Sequence, residues 1–205
     1  LEIIVWVDCC FIIMQLDIKE QSLILEGKKY SRKELMSLSA NATGDNTSSF
    51  LLDLYRFLAD WFSDSPFMTV HTSGSTGTPK VLTVRKEQMM QSARMTCEFL
   101  NLHTGDTALL CMPLQYIAGK MMVVRALVAG LNLILRTPSG HPLADVTVPL
   151  RFVAMVPLQV FNTLQVLREK ERLCHTDILI IGGGAIDAAL ENEIRLLPGE
   201  IYSTY

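Results

Sequence analysis

Residues 71–80 read His-Thr-Ser-Gly-Ser-Thr-Gly-Thr-Pro-Lys, a run of hydroxyl side chains and glycines that ends in a lysine. Glycines let backbone N–H groups converge on an anion, hydroxyls donate further hydrogen bonds, and a lysine supplies the countercharge. A plain surface loop is the alternative interpretation. However, the run lies between two short apolar, β-branched stretches, 67–70 and 81–85, which are typical of strands. This arrangement favours a phosphate-binding loop.

The loop differs from the common nucleotide-binding loop of kinases and GTPases. That motif needs a Gly-Lys pair five residues after its first glycine, and here Pro79 stands five residues after Gly74. Pro79 and the β-branched residues after it predict a hairpin-like turn and no helix start. We therefore expect loop amides, and not a helix N-terminus, to hold the anion.

A second glycine-rich turn lies at 182–184, inside the segment Asp-Ile-Leu-Ile-Ile-Gly-Gly-Gly-Ala-Ile-Asp (177–187). It follows an apolar strand and precedes a helix that begins near Asp187. Three glycines allow a flat ligand or a phosphate to approach the backbone closely. A contact with a nucleotide and a simple strand-to-helix turn both explain this segment.

The rest of the chain predicts an α/β fold. Ser31 and Glu34 form a capping-box pattern at a helix start, and a second amphipathic helix covers 51–62 after a polar connector at 39–49. From residue 67 onward, near-continuous apolar strands alternate with helices, which is typical of a sheet covered on both faces that binds ligands at its carboxyl edge. The predicted helices are 86–100, 119–130, 158–170 and 187–195, and the predicted strands are 107–112, 131–136, 151–156, 177–182 and 200–205.

Composition narrows the function classes. The 205 residues are 49% hydrophobic and carry a net charge of −3, so the chain can bury a core and lacks the basic field of a nucleic-acid-binding protein. Five scattered cysteines predict neither a disulfide framework nor a zinc site, and a reducing cytoplasm fits them best. Cys174 and His175 are adjacent, which rarely gives catalytic geometry. The apolar start lacks a basic leader and contains Asp8, so we expect a buried strand at 2–7 and no membrane span.

These motifs resemble the adenylate-forming superfamily of acyl-CoA synthetases, luciferases and peptide-synthetase adenylation domains. Residues 72–80 match its phosphate-loop signature, although Val81 replaces the usual glycine after the lysine. Residues 111–122, Cys-Met-Pro-Leu-Gln-Tyr-Ile-Ala-Gly-Lys-Met-Met, resemble the next family motif, with Tyr116 where histidine is common. Residues 180–185 resemble the segment that lines adenine, and 24–35 an early Gly-x-x-x-Ser/Thr-x-x-Glu-Leu element. The short interval from Leu35 to Thr72 implies a trimmed N-terminal lobe, which resembles that of the o-succinylbenzoate–CoA ligases of menaquinone synthesis.

The resemblance implies a two-step ligase reaction. A carboxylate attacks the α-phosphate of ATP and releases pyrophosphate, and the thiol of coenzyme A then captures the acyl-adenylate, with Mg²⁺ spreading the phosphate charge. It assigns catalytic roles to Lys80 and Thr72 and acid binding to Tyr116, Gly119 and Lys120, with Lys120 or Arg125 as the cation for a second carboxylate. We expect a surface or capping contact for Arg125. The residues implied to bind phosphate or nucleotide are Ser73, Gly74, Ser75, Thr76, Gly77, Thr78, Lys80, Gly182, Gly183, Gly184, Ala185 and Tyr205.

The same resemblance predicts part of a large N-terminal domain. Residues 1–66 would form a trimmed N-terminal lobe and 67–205 the AMP-binding core. The chain would stop within a Tyr-Gly-x-Thr-Glu motif at Tyr205, so that the metal-binding glutamate and the domain with the catalytic lysine would lie beyond it. The expected partners are a small carboxylic acid, ATP and coenzyme A, with no nucleic acid and a homo-oligomer possible. A non-catalytic nucleotide- or acyl-adenylate-binding module and an ATP-dependent phosphotransferase are the alternatives.

Overall fold

A computed structural model describes residues 17–41, 48–71 and 81–204. These residues form one seven-stranded sheet and one separate two-stranded hairpin. The strands are β1 (Ser22–Leu25), β2 (Lys28–Ser31), β3 (Phe67–His71), β4 (Val81–Arg85), β5 (Thr107–Leu110), β6 (Asn132–Leu135), β7 (Leu150–Met155), β8 (Thr176–Ile181) and β9 (Glu200–Ser203).

Helices connect the strands and cover the sheet, so the predicted α/β class is confirmed. The helices are α1 (Arg32–Asn41), α2 (Ser49–Trp61), α3 (Lys86–Phe99), α4 (Ile117–Ala129), α5 (Pro157–Gln165), α6 (Leu167–Cys174) and α7 (Ala188–Ile194). The single helix predicted over 158–170 is wrong, because Val166 adopts extended backbone angles and separates α5 from α6. The predicted strand at 2–7 lies outside the described residues.

The seven strands run in the order β2-β1-β6-β5-β7-β8-β9, and every pair is parallel except β1 with β2. The predicted capping box at the start of α1 is present, since Ser31 and Glu34 exchange side-chain and backbone hydrogen bonds. Because β1 pairs with β6, the sheet joins a strand from before residue 66 to strands from after it. Because β5 to β9 all pair in parallel, their carboxyl ends meet at one edge of the sheet.

The core is apolar and continuous across these elements. Leu23 of β1, Trp61 of α2 and Phe152 of β7 are all fully buried in the same cluster. The indole N–H of Trp61 is satisfied, because it donates to Gln21 Oε1 at 2.8 Å. In the described part of the chain, no helix combines the length and the apolar character that a membrane span needs.

The hairpin β3–β4 carries the predicted phosphate loop between its strands. Its antiparallel register runs from Phe67 opposite Arg85 to His71 opposite Val81, so the predicted strand pair flanking the loop is confirmed. Lys86 fixes the base of the hairpin, because the residue is 2% exposed and its Nζ donates to the carbonyl of Ser63 at 2.9 Å. Burial lowers the pKa of this ammonium, while Asp60 and Asp64 act to raise it.

Candidate functional site

The carboxyl edge of the sheet brings together the backbone that follows β7, β8 and β9. Gly182 N–H donates to the carbonyl of Met155 at 3.1 Å, and Thr204 N–H donates to the carbonyl of Ile181 at 2.8 Å. Each strand end is thus bonded to its neighbour beyond the regular ladder. The glycine turn at 182–184, which follows β8, lies at this edge, which is where open parallel sheets bind ligands.

The glycine turn at 182–184 favours glycine at two of its three positions. A Cβ on Gly182 would lie 2.5 Å from Thr204 Oγ1, and Gly183 has φ of +80°. Gly184 packs against Pro157, with 3.5 Å from a built Cβ to the ring. Gly183, Gly184 and Ala185 are exposed, so their backbone is open to a flat ligand. The predicted adenine contact of this turn remains a prediction, and Tyr205 lies outside the described residues.

The start of α4 is packed directly onto the segment before it. A Cβ on Gly119 would lie 2.4 Å from the carbonyl oxygen of Pro113 and 2.9 Å from that of Met112. Tyr116 is the N-cap residue of α4 and forms an isolated parallel bridge with His71 at the end of β3. The last residue before the predicted phosphate loop is therefore paired with Tyr116 of the predicted acid-binding motif 111–122.

Lys120 connects α4 to the hairpin. Its Nζ donates to the carbonyl of Thr69 at 2.6 Å, and burial lowers its pKa, with Asp60 acting to raise it. An ammonium has three donors, and this bond uses one of them. The contact makes Lys120 a structural link between the helix and β3, and its predicted role in acid binding remains a prediction.

Arg125 is only partly exposed and its guanidinium packs against β7, so the contact it makes is not the expected one at the protein surface or at a helix end. Its Nε is buried without a hydrogen-bond partner, and its guanidinium lies over the ring of Phe152, with Cζ 6.0 Å from the centroid. Its polar contact is with the thioether of Met122, 3.7 Å from Nη1. Burial lowers the pKa of the guanidinium. No carboxylate among the described residues forms a salt bridge with it.

The predicted phosphate loop itself lies outside the described residues. The roles predicted for its side chains therefore remain predictions. The structure describes the strands on both sides of the loop, through His71 and from Val81. The residues concerned are Thr72, Ser73, Gly74, Ser75, Thr76, Gly77, Thr78 and Lys80.

Sequence reasoning missed Gln159, which is 6% exposed and lies in the first turn of α5. Its side chain bonds the backbone of Val156, Cys111 and Ser139. The sequence Val-Pro-Leu-Gln after a strand carries a signal for part of this, because proline at the first helical position and glutamine at the third are typical of a helix start. The contacts with the other two segments are tertiary and leave no local pattern.

None of the described cysteines forms a catalytic pair with a histidine, including Cys174 and its neighbour His175. Cys97 and Cys111 are buried, which raises the pKa of their thiols to about 11 and about 12. His175 Nδ1 lies 2.7 Å from the carbonyl oxygen of Glu171 in its own helix. Among the described residues, no group of three or more histidine, cysteine or acidic side chains could hold a metal ion.

Comparison with known proteins finds AMP-forming acyl-CoA synthetases and a CoA ligase among the similar proteins. A protein from Dyadobacter fermentans, described as an acyl-CoA synthetase (AMP-forming)/AMP-acid ligase II-like protein, superposes with a TM-score of 0.72 at 32% identity over 83% of this chain and 49% of its own. The 2-succinylbenzoate–CoA ligase of Haemophilus influenzae is 28% identical over 155 residues, which are 75% of this chain and 33% of that protein. The chain thus spans about half or less of these relatives.

Lower-identity structures share the fold. Escherichia coli MenE with a bound analogue of OSB-AMS superposes with a TM-score of 0.52 at 24% identity, over 67% of this chain and 29% of its own. A family model described as AMP-binding enzyme matches residues 8–205, nearly the whole sequence. With the phosphate-loop hairpin, the acid-motif helix and the glycine turn placed as described above, this chain belongs to the AMP-binding enzyme family.

Proposed function

We propose that the parent protein of this chain is an ATP-dependent carboxylate–CoA ligase, and that its acid is o-succinylbenzoate. The bridge between His71 and Tyr116 is the observation that carries the ligase part. In the first half-reaction a carboxylate oxygen attacks the α-phosphate of ATP, and pyrophosphate leaves with the broken bond's electrons. That step needs acid and phosphates side by side, and the bridge joins Tyr116 of the acid motif to His71, the last residue before the proposed phosphate loop.

Electrostatics gives this loop its proposed role. Negative charge builds up on the phosphates in the transition state, and preorganised donors with a cation stabilise it. We assign that role to the loop amides, to the hydroxyls of 72–78 and to Lys80, with Thr72 bracing the loop. Mg²⁺ would share the charge, and the thiol of coenzyme A would attack the acyl carbonyl and release AMP. The glycine turn would border the adenine.

The choice of a dicarboxylic acid rests on Arg125. The Nε of Arg125 is buried without a hydrogen-bond partner and no carboxylate among the described residues forms a salt bridge with the guanidinium, so an anion bound there would offset part of its desolvation. Lys120 is the weaker candidate, since its ammonium already bonds the carbonyl of Thr69. The distal carboxylate of o-succinylbenzoate would supply the anion for Arg125. The names of the Haemophilus relative and the MenE structures favour the same acid.

The test is acid-dependent exchange of pyrophosphate into ATP, measured on this chain and on the longest chain that its gene encodes. The acids are o-succinylbenzoate, benzoate, a cinnamate and a fatty acid. We expect exchange with o-succinylbenzoate by the longer chain. Exchange only with a monocarboxylic acid would overturn the substrate. Nucleotide binding without exchange would favour the binding module, and ADP in place of AMP as product would favour a phosphotransferase.

Arg125→Gln separates substrate choice from chemistry. We expect this change to raise the KM for o-succinylbenzoate by about tenfold or more, because a charge-assisted bond to a buried group is worth well over one ordinary hydrogen bond. The KM for ATP should stay within about twofold, since no step places Arg125 on the nucleotide. The matched control is Arg56→Gln, which removes an exposed arginine that pairs with Asp53 at 3.1 Å on α2. An unchanged KM for the acid in the Arg125 variant would refute the assignment.

A further inference from the structure

Gln159 is a buried amide whose three hydrogen bonds reach three separate segments. Its Oε1 accepts from Val156 N–H at 3.2 Å, and its Nε2 donates to the carbonyls of Ser139 at 2.9 Å and Cys111 at 3.2 Å. The orientation of the amide follows from these partners, because the flipped group would face two carbonyl oxygens with its own oxygen. Val156 follows β7, Ser139 follows β6 and Cys111 follows β5.

Two of these segments continue into the two halves of the candidate site. Cys111 leads into Met112 and Pro113, whose carbonyls contact Gly119 at the start of α4. Val156 lies beside the glycine turn, since a Cβ built on Gly183 would come 3.5 Å from its Cγ1. Gln159 is therefore bonded to the backbone of Cys111, which begins the acid-motif segment, and to that of Val156, which lies beside the glycine turn.

Capping of α5 does not explain this side chain. A cap at this position needs only the bond from Val156 N–H to Oε1. The two Nε2 bonds leave the helix and end on carbonyls 20 and 48 residues away in sequence. A buried amide that uses both amide hydrogens on separate loops fixes the spacing of those loops, because any shift leaves a buried polar group unpaired.

We propose that Gln159 is a positioning residue, which holds the acid-motif segment 111–116 at a fixed distance from the glycine turn 182–184. The inference rests on the proposed function for its catalytic meaning: the two substrates must be aligned for the carboxylate to reach the α-phosphate, and Gln159 sets the separation of the segments that bind them. Gln159 contacts neither substrate and acts through Cys111 and Val156.

Gln21 provides a matched control. It is also a buried glutamine, 7% exposed, and it bonds Trp61 Nε1 and the thioether of Met90. It immediately precedes β1, which is parallel to β6, so it lies at the opposite edge of the sheet. Gln21→Met and Gln159→Met therefore remove the same polar group from a buried position, and only the second change touches the carboxyl edge.

The deciding measurement is hydrogen–deuterium exchange, read by peptide mass, on the 205-residue protein. We expect Gln159→Met to speed amide exchange about fivefold or more in both 112–116 and 182–184, whereas Gln21→Met changes neither segment by more than about twofold. Gln159→Glu keeps the acceptor for Val156 N–H and has at most one carboxyl proton in place of two amide hydrogens, so it breaks at least one of the two loop contacts, should act in the same direction as Gln159→Met, and serves as the second variant. Faster exchange confined to 139 and 156–159, or equal effects in the Gln21 variant, would overturn the proposal.

Kinetics on the longest encoded chain test the catalytic meaning separately. We expect Gln159→Glu to lower the kcat of pyrophosphate exchange about tenfold with a smaller rise in either KM, because misalignment affects the transition state more than binding. Gln21→Met should leave kcat and KM within about twofold at a temperature well below its Tm. Exchange activity absent from the wild type with every acid refutes the proposed function, while the amide-exchange result still decides the role of Gln159.

Discussion

At the scale of single residues, burial decides how this chain's polar groups behave. Lys86, Lys120, Arg125 and Gln159 all lie partly or fully inside the protein, and each must find its partners there. Lys86 and Lys120 use backbone carbonyls, and Gln159 uses three backbone groups. Arg125 has neither a backbone carbonyl nor a carboxylate as side-chain partner among the described residues, which is why we propose it as the cation for the second carboxylate of the acid.

Cys111 gives a prediction at this scale. Its thiol is fully buried and contacts the carbonyl of Ala154 at 3.6 Å, and burial raises its pKa from 9.0 to about 12. A group whose folded-state pKa is raised contributes stability that is complete below the unfolded pKa and is lost as pH rises toward the folded one. Between pH 8 and pH 10, unfolding free energy should therefore fall by about 1.4 kcal/mol more in the wild type than in Cys111→Ala.

Urea unfolding of the two proteins at both pH values measures this difference. The alanine variant also leaves a small cavity, but that cost is the same at each pH and cancels in the comparison. A parallel pH dependence of the two proteins would show that the thiol ionises in the folded state as readily as in the unfolded one.

At the scale of elements, the sequence predicts most strands and helices because their patterns are local. The apolar runs that form β5 to β8 and the Ser31–Glu34 pair at the start of α1 depend on neighbours in sequence. The break at Val166 is different, because no glycine or proline marks it. It separates α5 from α6, where the carboxylate of Glu169 is buried and lies 3.0 Å from His141 Nδ1 in a loop 28 residues away. Such partners depend on the tertiary fold.

The candidate site divides in the same way. Glycine-rich loops and their flanking strands can be recognised from spacing, so the hairpin and the 182–184 turn are predictable. The partners of Arg125 and Gln159 are not, because each lies on a helix that the sequence marks only as apolar or amphipathic. Their roles follow from what lies across the packed interface, which one sequence does not specify.

Gly119 in α4 gives a prediction at this scale, because two effects oppose each other there. Alanine is a better helix former than glycine by about 1 kcal/mol. A Cβ, however, would lie 2.4 Å and 2.9 Å from the carbonyl oxygens of Pro113 and Met112, and neither backbone group can move freely. Overpacking of this kind costs about 1–3 kcal/mol, so we expect Gly119→Ala to lower the free energy of unfolding.

Ala118→Gly, on the exposed side of the same turn, measures the difference in helix propensity between alanine and glycine without the close contact. We expect it to lower the free energy of unfolding by about 1 kcal/mol. Thermal and urea unfolding of both variants give the comparison. Stabilisation by Gly119→Ala would mean that α4 does not approach the 112–113 backbone as closely as described.

At the scale of the whole molecule, the sheet determines how the chain unfolds. The sequence predicts a lobe over 1–66 and a core over 67–205, yet β1 pairs with β6, and Leu23 and Trp61 share one core with Phe152. Detaching the first segment, residues 17–66, would expose the edge of β6 and much apolar surface. Each Å² of apolar surface exposed costs about 25 cal/mol, which is large beside the marginal stability of a small domain. We therefore expect one cooperative unfolding transition.

Trp61 allows a direct test, because Trp6→Phe leaves it as the sole tryptophan, and it lies on α2 before residue 66. Its fluorescence follows the first segment, while far-UV circular dichroism is dominated by the strands and helices after residue 67. Coincident urea midpoints from the two probes are the expected result, since two-state unfolding gives every probe the same transition. If fluorescence changed at lower urea than circular dichroism, the first segment would unfold on its own, and β1 would contribute little to holding β6 and the carboxyl edge in place.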